Sequence, residues 1–312
     1  MKFITLFITL TAKQSAARMR VWRALKALGT ATLRDGVYLL PASPAHRDAL
    51  ARIAEDVRSV GGTADLYQLD ALDAIDTIDA IDDLQRQGLI ALFDRSTDYA
   101  TFIGAIHAAD AADAKALRAL RRDLATLVAI DFFPGEAQRQ AEAALQALEA
   151  RAGGEPVNVA GSICRLASVD FSKRTWATRK HVWVDRMASA WLIRRFIDKE
   201  ATFLWLDSPK KCPKNALGFD FDDAAFTHVG GHVTFEVLML SFGLEADPAL
   251  VRIAAIVHFL DAGGVPVPEA SGIAAVLAGA RDKAADDDTI LVEASRLFDN
   301  LHHHYSQEAA HD

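Results

Sequence analysis

The first seventy residues alternate in kind, and that alternation restricts the fold more than any other feature of the sequence. FITLFITL (3–10) is rich in β-branched and aromatic residues; SAARMRVWRALKALG (15–29) opens on a Ser N-cap candidate and closes on Gly; TLRDGVYLLP (32–41) reads as a strand ended by Pro. A helical stretch, PAHRDALARIAEDVRSVGG (44–62), and a strand, ADLYQL (64–69), follow. The β-α-β-α-β order predicts a ferredoxin-like split in an α/β (α+β) protein. MKFITLFITLTAK imitates a secretion leader, but its apolar stretch is strand-like and the next helix needs it for packing, so the chain is expected to stay in the cytoplasm.

Residues 84–150 are rich in Ala, Leu and charge, are interrupted by FFPGEA (132–137), and predict two or three helices. Gly, Pro and Asn cluster in RAGGEPVNVAGS (151–162), the best linker candidate. The expected domains are therefore 1–152, ferredoxin-like plus helices, and 163–312, a mainly helical α/β domain. The second reads as strand-helix-strand over 176–206, a Pro-containing loop, and helices from Ala249 onward. No stretch approaches the roughly 18 to 20 uncharged apolar residues of a membrane span, so no membrane insertion is expected. Cys164 and Cys212 lie outside any CxxC spacing, which indicates neither a disulfide framework nor a thiolate zinc site and fits a reducing compartment.

A net charge of -8 argues against a uniformly basic nucleic-acid binder, yet the charge is uneven. Residues 1–34 hold Lys2, Lys13, Arg18, Arg20, Arg23, Lys26 and Arg34 without one Asp or Glu. On the 15–29 helix, Val21, Trp22, Leu25 and Leu28 share an apolar arc, while Arg20, Arg23 and Lys26 face water or the phosphates of a nucleic acid. Residues 70–113 invert the sign, with ten Asp against Arg86 and Arg95. The Asp of DALDAIDTIDAIDD recur every three residues, about 300 degrees of helix rotation per step, so they fan around the axis as a solvated acidic segment and make a poor metal site.

The chemistry-bearing residues fall in the second half. In RKHVWVDRMASAWLIRRFID (179–198), Asp185 stands where a strand hands over to a helix, as a cap, a ligand or a general base. Arg194 and Arg195 are consecutive in an apolar helix, about 100 degrees apart, so one is expected to approach the buried side. A buried Arg needs Asp198 as its partner, or an oxyanion shared with Arg186. FTHVGGHVTFEV (226–237) spaces His228, His232 and Glu236 four apart, but Gly230 and Gly231 predict a turn, with the helix starting near Thr234. Glu236 then needs a partner in an apolar helix, and His258 and Asp261 share one face of another. Asp185, His228, Glu236, His258 and Asp261 are the raw material of a nitrogen and oxygen site for one transition metal ion, Fe, Mn or Zn, with open positions. HHHY (302–305) reads as a solvated tail.

DRMASAWLIRRFID (185–198), FTHVGG with TFEVL (226–238), and IAAIVHFLD (253–261) followed by PEASGI resemble the C-terminal domain of the ChrB chromate-resistance family. RMRVWRALKALGTATLRDGVYLLP (18–41) resembles the N-terminal domain of that family, which is similar in pattern to the ferredoxin-like part of PaaX-type repressors. The resemblance implies a chromate-responsive regulator that accompanies an efflux transporter, with operator DNA as a partner and a homo-oligomer as a compatible state. Chromate is a tetrahedral dianion, so Arg186, Arg194 and Arg195 are the implied anion contacts. The competing readings are a metal-dependent enzyme built on the five His and carboxylate residues, and a non-catalytic partner of another operon product.

Overall fold

In the computed structural model, residues 1–11, 14–70, 86–110, 113–153 and 163–309 are described. The β-branched opening forms β1, Lys2–Thr9, which pairs antiparallel with both β3, Val37–Pro41, and β4, Thr63–Asp70. The stretch that imitates a leader is thus an inner strand. The single strand expected over 32–41 is instead a hairpin of β2, Ala31–Arg34, and β3, and the sheet order is β2-β3-β1-β4. Asp35 and Gly36 make its turn: Gly36 has φ 74°, and a Cβ there would meet the Ile8 carbonyl oxygen at 2.5 Å. The correction completes the β-α-β-β-α-β motif of a ferredoxin-like fold.

Helices α1, Ser15–Ala27, and α2, Pro44–Ser59, bury Val21, Leu25, Leu50, Ile53 and Val57 in one core with Phe3, Ile4 and Leu6. Ser43 caps α2 by accepting the His46 N–H, and Pro44 costs nothing at the first helical position, where no intrahelical bond is due. The cap expected of Ser15 is absent; Ser15 is the first residue of α1. Helices α3 (Ser96–Ala108), α4 (Ala114–Ala129) and α5 (Glu136–Gly153) follow. The chain forms two compact units, Met1–Phe102 with Arg118–Gly135, and Ile103–Leu117 with Glu136–Asp312. Residues 71–85 of the acidic repeat and 154–162 of the linker candidate lie outside the described residues.

The second unit is built on a parallel sheet of β5, Thr175–Arg179, β6, Thr202–Leu206, and β7, Leu217–Gly218, in the order β6-β5-β7. Helix α6, Val184–Leu192, and a wider π turn, Ile193–Ile197, connect β5 to β6. Helices α7 (Thr234–Ser241), α8 (Pro248–Ala262), α9 (Ala270–Lys283) and α10 (Asp287–Ala309) follow the sheet. Trp176, Trp191, Phe219, Phe235 and Phe298 fill their common core. The chain runs from β5 to β6 on one side and then crosses to β7 on the other, so the carboxyl ends of β5 and β7 flank a topological switch point, where open parallel sheets bind ligands.

The HHHY segment is not a tail but the end of α10: Tyr305 is buried, and His302 Nε2 lies 2.8 Å from Asp247 Oδ2. Asp247 in turn caps α8. Among the described residues, no helix is long and apolar enough to cross a membrane.

Candidate functional site at the carboxyl edge of the parallel sheet

Asp185 lies in the first turn of α6 and is 1% exposed. It caps another helix instead of its own: Oδ2 accepts the Thr234 N–H at 3.0 Å and Oδ1 accepts the Phe235 N–H at 2.9 Å, with the Ser189 hydroxyl at 3.3 Å from Oδ1. The predicted Gly230-Gly231 turn forms, with Gly230 at φ 60° and Val229 bridged to His232, and it returns the chain so that His228 Nε2 faces Asp185 Oδ2 at 3.3 Å. Asp220 Oδ1 and Asp261 Oδ2 each stand 3.6 Å from the same nitrogen. Donor atoms of Asp185, His228 and Asp261 all lie within 4.8 Å of one another.

Three carboxylates around one imidazole set the electrostatics. Hydrogen bonding to Asp185 and then Asp220 pushes His228 up to about 10, while burial opposes its charge. Burial first, and then the charges of Asp185 and Asp220, push Asp261 up to about 6. Asp185 is also raised, chiefly by burial.

The five residues expected at one ion divide into two groups. Glu236 and His258 lie off the three-residue cluster: His258, 3% exposed, has Nδ1 at 2.9 Å from Glu236 Oε2 and Nε2 at 3.2 Å from Glu136 Oε1. Glu236 Oε2 also accepts the Val233 N–H at 2.9 Å and stands 3.6 Å from His232 Nδ1. Burial works against the charge of Glu236, but the bonds from His232 and His258 win and hold it down at about 2. Burial likewise opposes the His258 cation, and Glu236 and Glu136 outweigh it to raise that group. This half of the expected metal set is a saturated ion-pair network. Although α8 carries His258 and Asp261 on one face, the two serve different clusters.

The three expected anion-binding arginines do not converge. Arg186 is mostly buried, with Nε 3.0 Å from Asp220 Oδ2 and Nη1 donating to the carbonyls of Arg179, Lys180 and His181; burial lowers its pKa. Arg194 lies over the Phe203 ring at 4.8 Å, and Arg195 stands 3.5 Å from Asp299. Both are exposed, contrary to the expectation that one would approach the interior. The π turn is the reason: Asp198 N–H donates to the Ile193 carbonyl five residues back, at 2.7 Å, and a wider turn advances each side chain by a smaller angle. Asp198 pairs with neither arginine; it is buried and accepts N–H bonds from Lys173, Arg174 and Glu200 and from the Trp176 indole.

The sequence reading missed Asp220, Glu136 and Arg179. Arg179 ends β5 with its side chain 48% exposed; its Nη2 lies 3.1 Å from the Asp220 carbonyl oxygen and 3.8 Å from Asp220 Oδ2. Asp220 follows β7 at φ 56°, a conformation that Asp tolerates better than most residues, and the acids alternating with Phe in FDFDD were its only signal. Glu136, in FFPGEA, is 122 positions from His258, and nothing local links them.

In the first unit, α1 exposes Arg23 and Lys26 as expected, but Trp22, expected on the apolar arc, is exposed too, with Lys26 Nζ 5.3 Å from the centre of its ring. Arg20 does not share that freedom: its Nε is 3.0 Å from Asp56 Oδ2 on α2.

The family profile described as "ChrB, C-terminal domain" matches residues 176–305, and the one described as "Protein ChrB, N-terminal" matches residues 18–110. A protein of Cupriavidus metallidurans, "Protein ChrB", is 45% identical over 317 residues, which cover 97% of this chain and 95% of that protein. No solved structure matches the chain. With both matched regions in order and the likeness running almost end to end, the chain belongs to the ChrB family.

Proposed function

We propose that the chain acts in chromate resistance as an oxyanion-responsive regulator, and that its C-terminal unit receives the anion at the carboxyl edge of the parallel sheet. One observation carries this reading: Arg179, the last residue of the central strand, stands half exposed at the switch point of the sheet. Its contacts with Asp220 engage only Nη2 among the described residues, which leaves most of a five-donor fork for a tetrahedral anion. Arg186 lies behind it, tied to Asp220, and supplies positive charge from a fixed position. Arg194 and Arg195, on the π turn, have other partners and are not assigned to the anion. The exposed Arg23 and Lys26 of α1 are the cations assigned to operator phosphates.

Calorimetric titration of the full chain with chromate, with sulfate in parallel, tests the anion site. Removing a charged hydrogen-bond donor costs about 1.5 to 3 kcal/mol, so Arg179→Ala is expected to weaken chromate binding roughly tenfold or more, and Arg194→Ala with Arg195→Ala to leave it unchanged. The reverse pattern, or no chromate binding by the wild type, overturns the reading.

A further inference from the structure

We infer that Asp185, His228 and Asp261 form a divalent-cation site, of the kind that takes Mn²⁺, Fe²⁺ or Zn²⁺, beside the proposed anion contact and independent of it. The donor set is one imidazole nitrogen and two carboxylates, each with an atom within 4.8 Å of the others. Imidazole and carboxylate together suit these ions, and three protein ligands leave positions open for water or a substrate.

The arrangement explains itself poorly as an ion-pair network. His228 Nε2 faces Asp185, Asp220 and Asp261 at 3.3, 3.6 and 3.6 Å, yet one N–H can serve only one of them well. The acids, Asp185 buried and Asp261 partly exposed, hold like charges close together around that one nitrogen, and like charges so placed repel. A dication removes that repulsion. The surroundings are also those of a held ligand set: the Thr234 and Phe235 amides and the Ser189 hydroxyl fix the orientation of Asp185. Asp220 is held by Arg186 at Oδ2 and by the Thr234 hydroxyl at Oδ1, which makes it a positioning residue beside the ion.

The contrast with His258 sharpens the assignment. There each ring nitrogen has its own carboxylate and the network is closed, whereas at His228 one nitrogen is shared among three. His228 and Asp261 keep side-chain exposures of 45% and 28%, so an ion can enter from solvent and their substitution leaves the core intact.

The test is Mn²⁺ titration of the chelator-treated full chain, followed by pulsed electron paramagnetic resonance. The wild type is expected to bind about one Mn²⁺ with nitrogen modulation from a coordinated imidazole. His228→Gln should lose that modulation, Asp261→Asn should weaken binding by at least about tenfold, and Asp220→Asn by roughly 10- to 100-fold. Arg194→Ala, away from the cluster, serves as the unchanged control, and melting curves establish that each variant is folded. If His228→Gln does not fold, Asp261→Asn decides alone. Absence of stoichiometric Mn²⁺ and Zn²⁺ uptake by the folded wild type, or binding undiminished in folded Asp261→Asn, overturns the inference.

Discussion

His258 shows how far a single residue can be read before its neighbours are known. Its apolar helix demanded a partner, and it has two, Glu236 and Glu136, one of which comes from a helix that no local pattern connects to it. Breaking a buried ion pair by removing one member costs about 3 to 5 kcal/mol, and His258→Gln is expected to fall in that range. The sign of the pH dependence follows from the two directions. Glu236 is depressed from 4.5 to about 2, so its contribution is present above 4.5 and is lost as the pH falls through about 2. His258 is raised above 6.5, so its contribution is full below 6.5 and is lost as the pH rises through that higher value. The urea-measured stability gap between wild type and His258→Gln should therefore be widest between pH 4.5 and 6.5 and narrow on both sides. A gap that kept the same width as the pH fell well below 4.5 and rose well above 6.5 would refute the assignment. Asp185 was legible as a residue that caps or binds, but not as one that caps a helix 49 positions away.

Elements in the second unit are tied together by carboxylates that accept main-chain N–H groups across long separations. Asp185 does this for α7, and Asp287, at the start of α10, accepts the N–H groups of His181 and Val182 before α6. Asp198, after the π turn, does it for the approach to β5. Asp198→Ala leaves several buried donors unpaired at about 1 to 3 kcal/mol each, so a loss of about 3 kcal/mol or more is expected in chemical denaturation, with Asp198→Asn less damaging. A loss under about 1 kcal/mol would show that these bonds are replaced by water. At this scale the sequence was legible where periodicity held, as in α1, α2 and β1. It misled at two irregularities. The Asp35-Gly36 pair carried a hairpin signal inside what reads as one strand, and the π turn shifted the phase of Arg194 and Arg195, which an ideal helix wheel cannot anticipate.

For the whole molecule, the uneven charge is the sequence feature that gains meaning from the fold. A net charge of -8 coexists with an α1 face on which Arg23 and Lys26 are exposed and Arg20 is occupied by Asp56. The ferredoxin-like order and the mainly helical second unit were legible because the helices and β1 are long enough to show their period, which the short β2 and β7 are not. The site was legible only in its residue types, since Asp185, His228 and Asp261 are assembled from three separate elements by a two-stranded bridge and a return of the chain. The regulatory claim joins the two units in one observable: binding of the full chain to the DNA upstream of its own gene, followed by fluorescence anisotropy across a salt series with and without chromate. The account predicts a salt slope that falls by about one when Arg23 or Lys26 is replaced by Ala, and by less for Arg20. It also predicts an affinity that chromate changes in the wild type but not in Arg179→Ala. An affinity indifferent to chromate in a wild-type chain that binds both the DNA and the anion would contradict it.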